Sequence, residues 1–202
     1  SQLTDGVDWE ARERRMAAER EADRARQLAL LRPADLTERG WPRRAVEAAA
    51  TCDVSRSAVQ RLLAWDFEAR SIVVLSGQPG CGKTVAAARW ARDRAPCATF
   101  LRAAKFAANS RYDADAREAW MLAPALVLDD LGAEYLDAKG SFLVDLDELI
   151  DTFYGDGRPL VITTNTDAAA FKARYGERIV DRLRECGVWL SIADGSMRGA
   201  KR

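Results

Sequence analysis

Gly77-Gln78-Pro79-Gly80-Cys81-Gly82-Lys83-Thr84 follows the apolar run Ile72 to Ser76 and leads into a helical pattern from Lys83 onward. The eight residues satisfy the spacing G-x-x-x-x-G-K-[ST], and a strand before and a helix after are the context this spacing requires. Glycines let a backbone wrap closely around phosphate oxygens, and the N–H groups of the loop and helix start then point at negative charge. Lys83 is placed to reach the β- and γ-phosphates of a nucleotide, and the Thr84 hydroxyl to bind Mg²⁺. Val85 extends the expected contacts into the helix. Cys81, inside the loop, reads as a small residue that fits the turn; a thiol at a helix N-terminus can also be made reactive.

Outward from this loop, strands alternate with helices. Strand patterns cover Ser71–Ser76, Ala98–Leu101, Ala125–Asp129, Leu160–Thr164 and Val188–Ile192, several of them near-continuous Val/Leu/Ile runs. Such runs suit parallel strands buried on both faces. Helical patterns fall at 83–95, 103–121, 141–154 and 167–185. The alternation predicts a parallel α/β sheet with helices on both faces.

Three further blocks carry chemistry. Leu126-Val127-Leu128-Asp129-Asp130-Leu131-Gly132 sets carboxylates at the C-terminal edge of a strand, where open α/β sheets bind ligands. Asp129 is expected to hold the magnesium through water and Asp130 to orient or activate an attacking water; Glu134 is a substitute base or simply a solvated loop residue. Val161-Ile162-Thr163-Thr164-Asn165 brings the Asn165 amide to the same edge, beside a γ-phosphate, unless it only caps the next helix. In Tyr175-Gly176-Glu177-Arg178-Ile179-Val180-Asp181-Arg182, the arginines Arg178 and Arg182 share a helix face. They fit either surface ion pairing or a guanidinium delivered across a subunit boundary to a transition state. Arg198 lies near the C-terminus, where it could return to the nucleotide.

Composition narrows the alternatives. Lys plus Arg and Asp plus Glu are both 31 in 202 residues, so any nucleic-acid or membrane contact must be a local patch. The chain has no histidine, which removes Ser-His-Asp triads, Cys-His dyads and His-ligated zinc together. Its four cysteines, Cys52, Cys81, Cys97 and Cys186, have no metal-ligand spacing and read as reduced thiols of a cytoplasmic protein. No apolar run approaches the ~18 residues of a membrane helix, and the N-terminus has no export pattern.

The N-terminal portion, residues 1–66, is expected to be a helical extension that docks a partner, with the ATPase domain at 67–202. Residues 8–31 are dense in Ala, Glu and Arg and predict a helix with a thin alanine face, either solvated or folding onto a partner. Pro33 to Pro42 reads as a linker with turn signals at Gly40, Trp41 and Pro42. Residues 43–51 and 57–65 read as short helices. Ala48 to Leu63 has some likeness to a helix-turn-helix reader, but a helix packed beside the first strand is the stronger expectation.

These blocks together resemble the AAA+ ATPases of the DnaC-type helicase-loader and IstB-type transposition-helper branch, over roughly residues 70–200. The order and spacing of Leu128 to Glu134, Thr164-Asn165, Gly176 to Leu183 and Ser196-Met197-Arg198 carry the likeness. It implies a P-loop NTPase fold with a five-stranded parallel sheet in the order 5-1-4-3-2 and no separate C-terminal lid domain. It also implies sensor-1 at Asn165, an arginine finger at Arg182 with Arg178 beside it, and a sensor-2-like Arg198. The implied activity is hydrolysis of ATP with Mg²⁺, weak until assembled, in a homo-oligomer or hetero-assembly with ATP sites at subunit interfaces. The implied partners are a hexameric replicative DNA helicase and single-stranded DNA, the latter near Lys105-Phe106 and Arg111-Tyr112. An IstB-like helper binding duplex DNA and a transposase is the alternative. A small-molecule P-loop kinase is more remote, since it leaves Asn165 and Arg182 unexplained.

Overall fold

Ile72-Val73-Val74-Leu75 and Leu160-Val161-Ile162 are so uniformly apolar that neither face can meet water, and both become inner strands of a sheet covered on two sides. The computed structural model describes residues 15–16, 33–136 and 140–193. In chain order the elements are α1 (Pro33–Glu38), α2 (Arg43–Thr51), α3 (Ser57–Leu63), β1 (Ile72–Gly77), α4 (Lys83–Arg94), β2 (Thr99–Arg102) and α5 (Ala103–Asn109). They continue with α6 (Ala114–Met121), β3 (Leu126–Leu131), α7 (Ser141–Gly155), β4 (Leu160–Thr164), α8 (Ala168–Tyr175), α9 (Glu177–Cys186) and β5 (Gly187–Ile192). The strands pair in parallel in the order β2-β3-β4-β1-β5, the 5-1-4-3-2 order read from the other edge.

Alternate strand residues divide the interior into two layers. Val73, Leu75, Val127, Val161 and Leu190 face α4 and the helices α1 to α3. Ile72, Val74, Leu126, Leu128, Leu160 and Ile162 face a second layer of aromatic and aliphatic residues from α5 to α9, including Phe106, Phe142, Leu149, Phe153 and Phe171. Ala86, Ala87, Ala88 and Ala91 have no exposed surface, so α4 lies close on the sheet and holds its N-terminus at the end of β1.

The N-terminal helices depart from the expectation of a linker. Pro33–Glu38 is helical, and Leu36 and Trp41 are buried in the first layer. Trp41 Nε1 donates to the Ala98 carbonyl at 3.0 Å, and its ring lies 5.0 Å from that of Phe100. The turn signals were sound, since Gly40 has φ +85°; the burial was hidden because the partners are more than fifty residues away in sequence. Residues 36–65 thus share one hydrophobic layer with the sheet, and a boundary drawn between 66 and 67 runs through it. α2 buries Ala45, Val46 and Ala49 and α3 buries Ala58, Val59 and Leu62. Both pack chiefly on α4 rather than beside β1, so the apolar side of the helix-turn-helix-like stretch is already covered.

Two long helical patterns are each broken. The 103–121 pattern splits into α5 and α6, because Asp113 caps the second helix by accepting from the Ala116 N–H and Ser110 is bound to Asp145 of α7. The 167–185 pattern splits at Gly176, whose φ of +85° no L-residue adopts easily. The helix expected over 8–31 lies almost wholly outside the described residues, and Arg198 wholly so.

Candidate active site

The sheet order sets β4 between β1 and β3, so the C-terminal ends of these three strands converge. The loop after β1, the acids ending β3 and Asn165 after β4 meet around a cavity of about 370 Å³. Its walls are Pro79, Gly80 and Gly82 of the loop, Lys83, Thr84 and Val85 of α4, and Asp130 and Asn165 opposite. Gly80 and Gly82 have φ of +87° and +97°, which turns the loop back over the start of α4. At Gly77 a Cβ would lie 2.8 Å from the Ile192 carbonyl, so the entry to the loop has no room for a side chain.

Lys83 is 5% exposed, and its ammonium donates to the carbonyls of Gly77 (2.8 Å) and Gln78 (3.0 Å) and to Asn165 Oδ1 (2.8 Å). Among the described residues Lys83 is the only cation lining the cavity, and the loop carbonyls and Asn165 hold its ammonium. Cys81 does not line the cavity. It is buried beneath the loop with Sγ 3.7 Å from Lys83 Nζ, which fits the reading of a small residue filling the turn.

Asp129 is 3% exposed. It accepts from Thr84 Oγ1 at 3.0 Å and from Thr163 Oγ1 at 2.7 Å. Burial pushes its carboxyl above the usual range and the neighbouring Asp130 adds to this; the hydroxyls of Thr163 and Thr84 and the charge of Arg102 oppose it. The β3–β4 register shifts between Leu128 and Leu131, and Asp130 takes φ +59°, a left-handed conformation costly for a non-glycine residue. Its N–H donates to Thr163 Oγ1 at 3.0 Å, which holds that turn. The bulge sends the Asp130 carboxylate toward the cavity while Asp129 stays beneath it.

The remaining expected residues separate. Arg178 and Arg182 are not at this cavity. They form a ladder with aspartates of the same spacing on α7, Arg178 Nη2 to Asp147 at 2.7 Å and Arg182 Nη1 to Asp151 at 2.5 Å. The Arg178 side chain is still 77% exposed. Glu134 is neither a solvated residue nor a spare base, since its side chain is fully buried and ion-paired with Arg174. Phe106 is a core residue against Trp120 and Phe142, whereas Lys105 and Tyr112 are exposed, Tyr112 at 89%. Arg111 is held by Asp145 and the Ser141 carbonyl.

Thr163 and Arg102 were missed as site residues. A polar residue ending an otherwise apolar strand was the available signal for Thr163, and its partners became visible only through strand pairing. Arg102 stands opposite Asp129 in the β2–β3 register.

No protein-family model matches the sequence, and no curated protein matches it. Solved structures do resemble it. One is the DnaC helicase loader, 22% identical, with a TM-score of 0.53 over 74% of this chain and 88% of that one. Another is DnaI, 19% identical, with a TM-score of 0.60 over 77% of this chain and 93% of that one. A third is the replication initiator DnaA bound to AMPPCP and single-stranded DNA, 18% identical, with a TM-score of 0.56 over 68% of this chain but only 45% of that one. The likeness is one of fold, at identities of 22% or less.

Proposed function

We propose that this protein is an ATP-hydrolysing AAA+ protein that acts as a loader of a hexameric replicative DNA helicase. The observation that carries the nucleotide reading is the closure of one cavity by Lys83, Thr84, Asp130 and Asn165, with Asp129 bound to Thr84 beneath it. The donor set fits a nucleotide with its magnesium. A glycine-lined loop offers N–H groups and one ammonium to phosphate oxygens, and a hydroxyl beside a carboxylate suits a hard, well-hydrated cation. Magnesium held by Thr84 and Asp129 would neutralise charge on the phosphates. Lys83 exchanges its loop carbonyls for phosphate oxygens, Asn165 orients the γ-phosphate or the lytic water, and Asp130 takes the proton of that water.

Arg182, with Arg178 beside it, is read as completing a neighbour's site across a subunit interface. Its place on a different helix from the cavity walls, with Arg178 largely exposed, supports this reading. The likeness in fold to DnaC and DnaI supports the loader role, and the exposure of both Lys105 and Tyr112 on the segment after β2 supports stacking and phosphate contact with single-stranded DNA. No observation favours the transposition helper.

Because residues 36–65 are part of the folded core, the full chain is the bait to use. Affinity capture with ATP present is expected to recover a hexameric helicase, and Lys83→Ala is expected to lose both nucleotide binding and ATP turnover. Recovery of a transposase without helicase would overturn the loader reading. An unchanged nucleotide affinity in Lys83→Ala would overturn the site.

A further inference from the structure

The Glu134 carboxylate is buried yet takes no part in the cavity. One oxygen accepts from Arg174 Nε (3.1 Å), Arg174 Nη2 (2.9 Å) and Tyr175 Oη (2.7 Å); the other accepts the Gly132 N–H at 2.7 Å. Its own carbonyl also accepts from Arg174 Nη2 at 2.5 Å. Gly132 lies two residues after Asp130. Tyr175 is the last residue of α8, and Gly176 alone joins it to α9, which carries Arg178 and Arg182. A single side chain thus bridges the turn that follows Asp130 and the one-glycine joint from which the two arginines are hung.

We propose that Glu134 is a positioning residue, coupling the nucleotide-side loop after β3 to the placement of Arg178 and Arg182 toward a neighbouring subunit. This rests on the reading that Arg182 acts on the neighbour's nucleotide. Stability alone accounts poorly for the network. α8 and α9 are already anchored by Phe171, Tyr175, Ile179, Val180 and Leu183, and a buried ion pair often adds little over an apolar packing of the same volume. The network adds a polar tie at the one-glycine joint to the ion pairs Arg178–Asp147 and Arg182–Asp151 that hold α9 on α7. Burial and the Glu134 charge both push the Tyr175 phenol above its usual range, so it stays a proton donor to Glu134 throughout the working pH span.

The test pairs variants in mixed assemblies. Glu134→Gln alone is expected to keep monomer nucleotide affinity within about twofold and to lower assembled turnover by about tenfold. Tyr175→Phe, which keeps the ring, is expected to do the same to a smaller degree. Lys83→Ala subunits hold no nucleotide but carry intact arginines. Mixed with Arg182→Ala subunits they restore turnover, and mixed with Glu134→Gln subunits they are expected to restore it equally. If they rescue Arg182→Ala but not Glu134→Gln, Glu134 acts within its own site and the proposal fails. Wild-type turnover in Glu134→Gln alone also overturns it. If even Arg182→Ala is not rescued, the reading of arginines acting across an interface falls first and takes the proposal with it. Should Glu134→Gln not fold, Tyr175→Phe carries the same mixing test.

Discussion

Replacing Thr163 by valine keeps the shape of a fully buried side chain and removes one hydroxyl with two duties. That hydroxyl donates to Asp129 Oδ1 at 2.7 Å and accepts the Asp130 N–H at 3.0 Å. A hydrogen bond to a charged group is worth about 1.5–3 kcal/mol, and a half-buried N–H without its acceptor costs on the order of 1 kcal/mol. Thr84 still donates to Asp129, which offsets part of the loss. Thr163→Val should therefore destabilise the nucleotide-free protein by about 2–4 kcal/mol, while Thr163→Ser should cost only about 1 kcal/mol for the lost methyl. The functional effect has a definite sign. The Thr163 hydroxyl lowers the Asp129 carboxyl's affinity for its proton, against burial. Without it the carboxyl is protonated at higher pH, and the acid limb of Mg²⁺-dependent ATP turnover should move to higher pH. The assays are urea unfolding of the free protein and a pH–rate profile in which valine is compared with serine. A Thr163→Val protein with wild-type stability and an unmoved acid limb would refute the assignment of Thr163 as the brace between the two acids.

Asp129→Asn should raise stability at neutral pH while abolishing metal-dependent binding. A carboxyl whose folded-state pKa is raised gives its full stabilising contribution below the unfolded value and loses it as pH rises through the folded one, so at neutral pH the buried charge is a liability. The expected gain is about 1 kcal/mol, or ~2–4 °C in thermal midpoint, read by calorimetry without nucleotide. Trp41→Ala should destabilise the whole fold by about 3–5 kcal/mol in a single unfolding transition, because its ring and Nε1 are bound to Phe100 and Ala98. A separate, early transition for the N-terminal helices would contradict this, and a fragment beginning at residue 67 should fail to fold. Tyr112→Ala should weaken single-stranded DNA binding by about 1–3 kcal/mol, with thermal stability unchanged, since the ring is exposed.

The pattern along the chain determined the sheet and the heart of the site. Parallel strands buried on both faces must be continuous apolar runs, and a loop that wraps phosphate needs glycine at fixed intervals, so local composition suffices to place Lys83, Thr84, Asp129 and Asn165. Tertiary structure alone decided what depends on distant partners. Trp41 turns from linker to core because Ala98 and Phe100 come beneath it. Glu134 turns from a loop acid to a buried tether because α8 returns Arg174 and Tyr175 to it. Thr163 becomes a brace because β3 and β4 pair with a bulge. A short-range pattern records which face of an element is apolar. The identity of a buried polar group's partner is set by desolvation, which requires that some group meet it, and by the packing that determines which one.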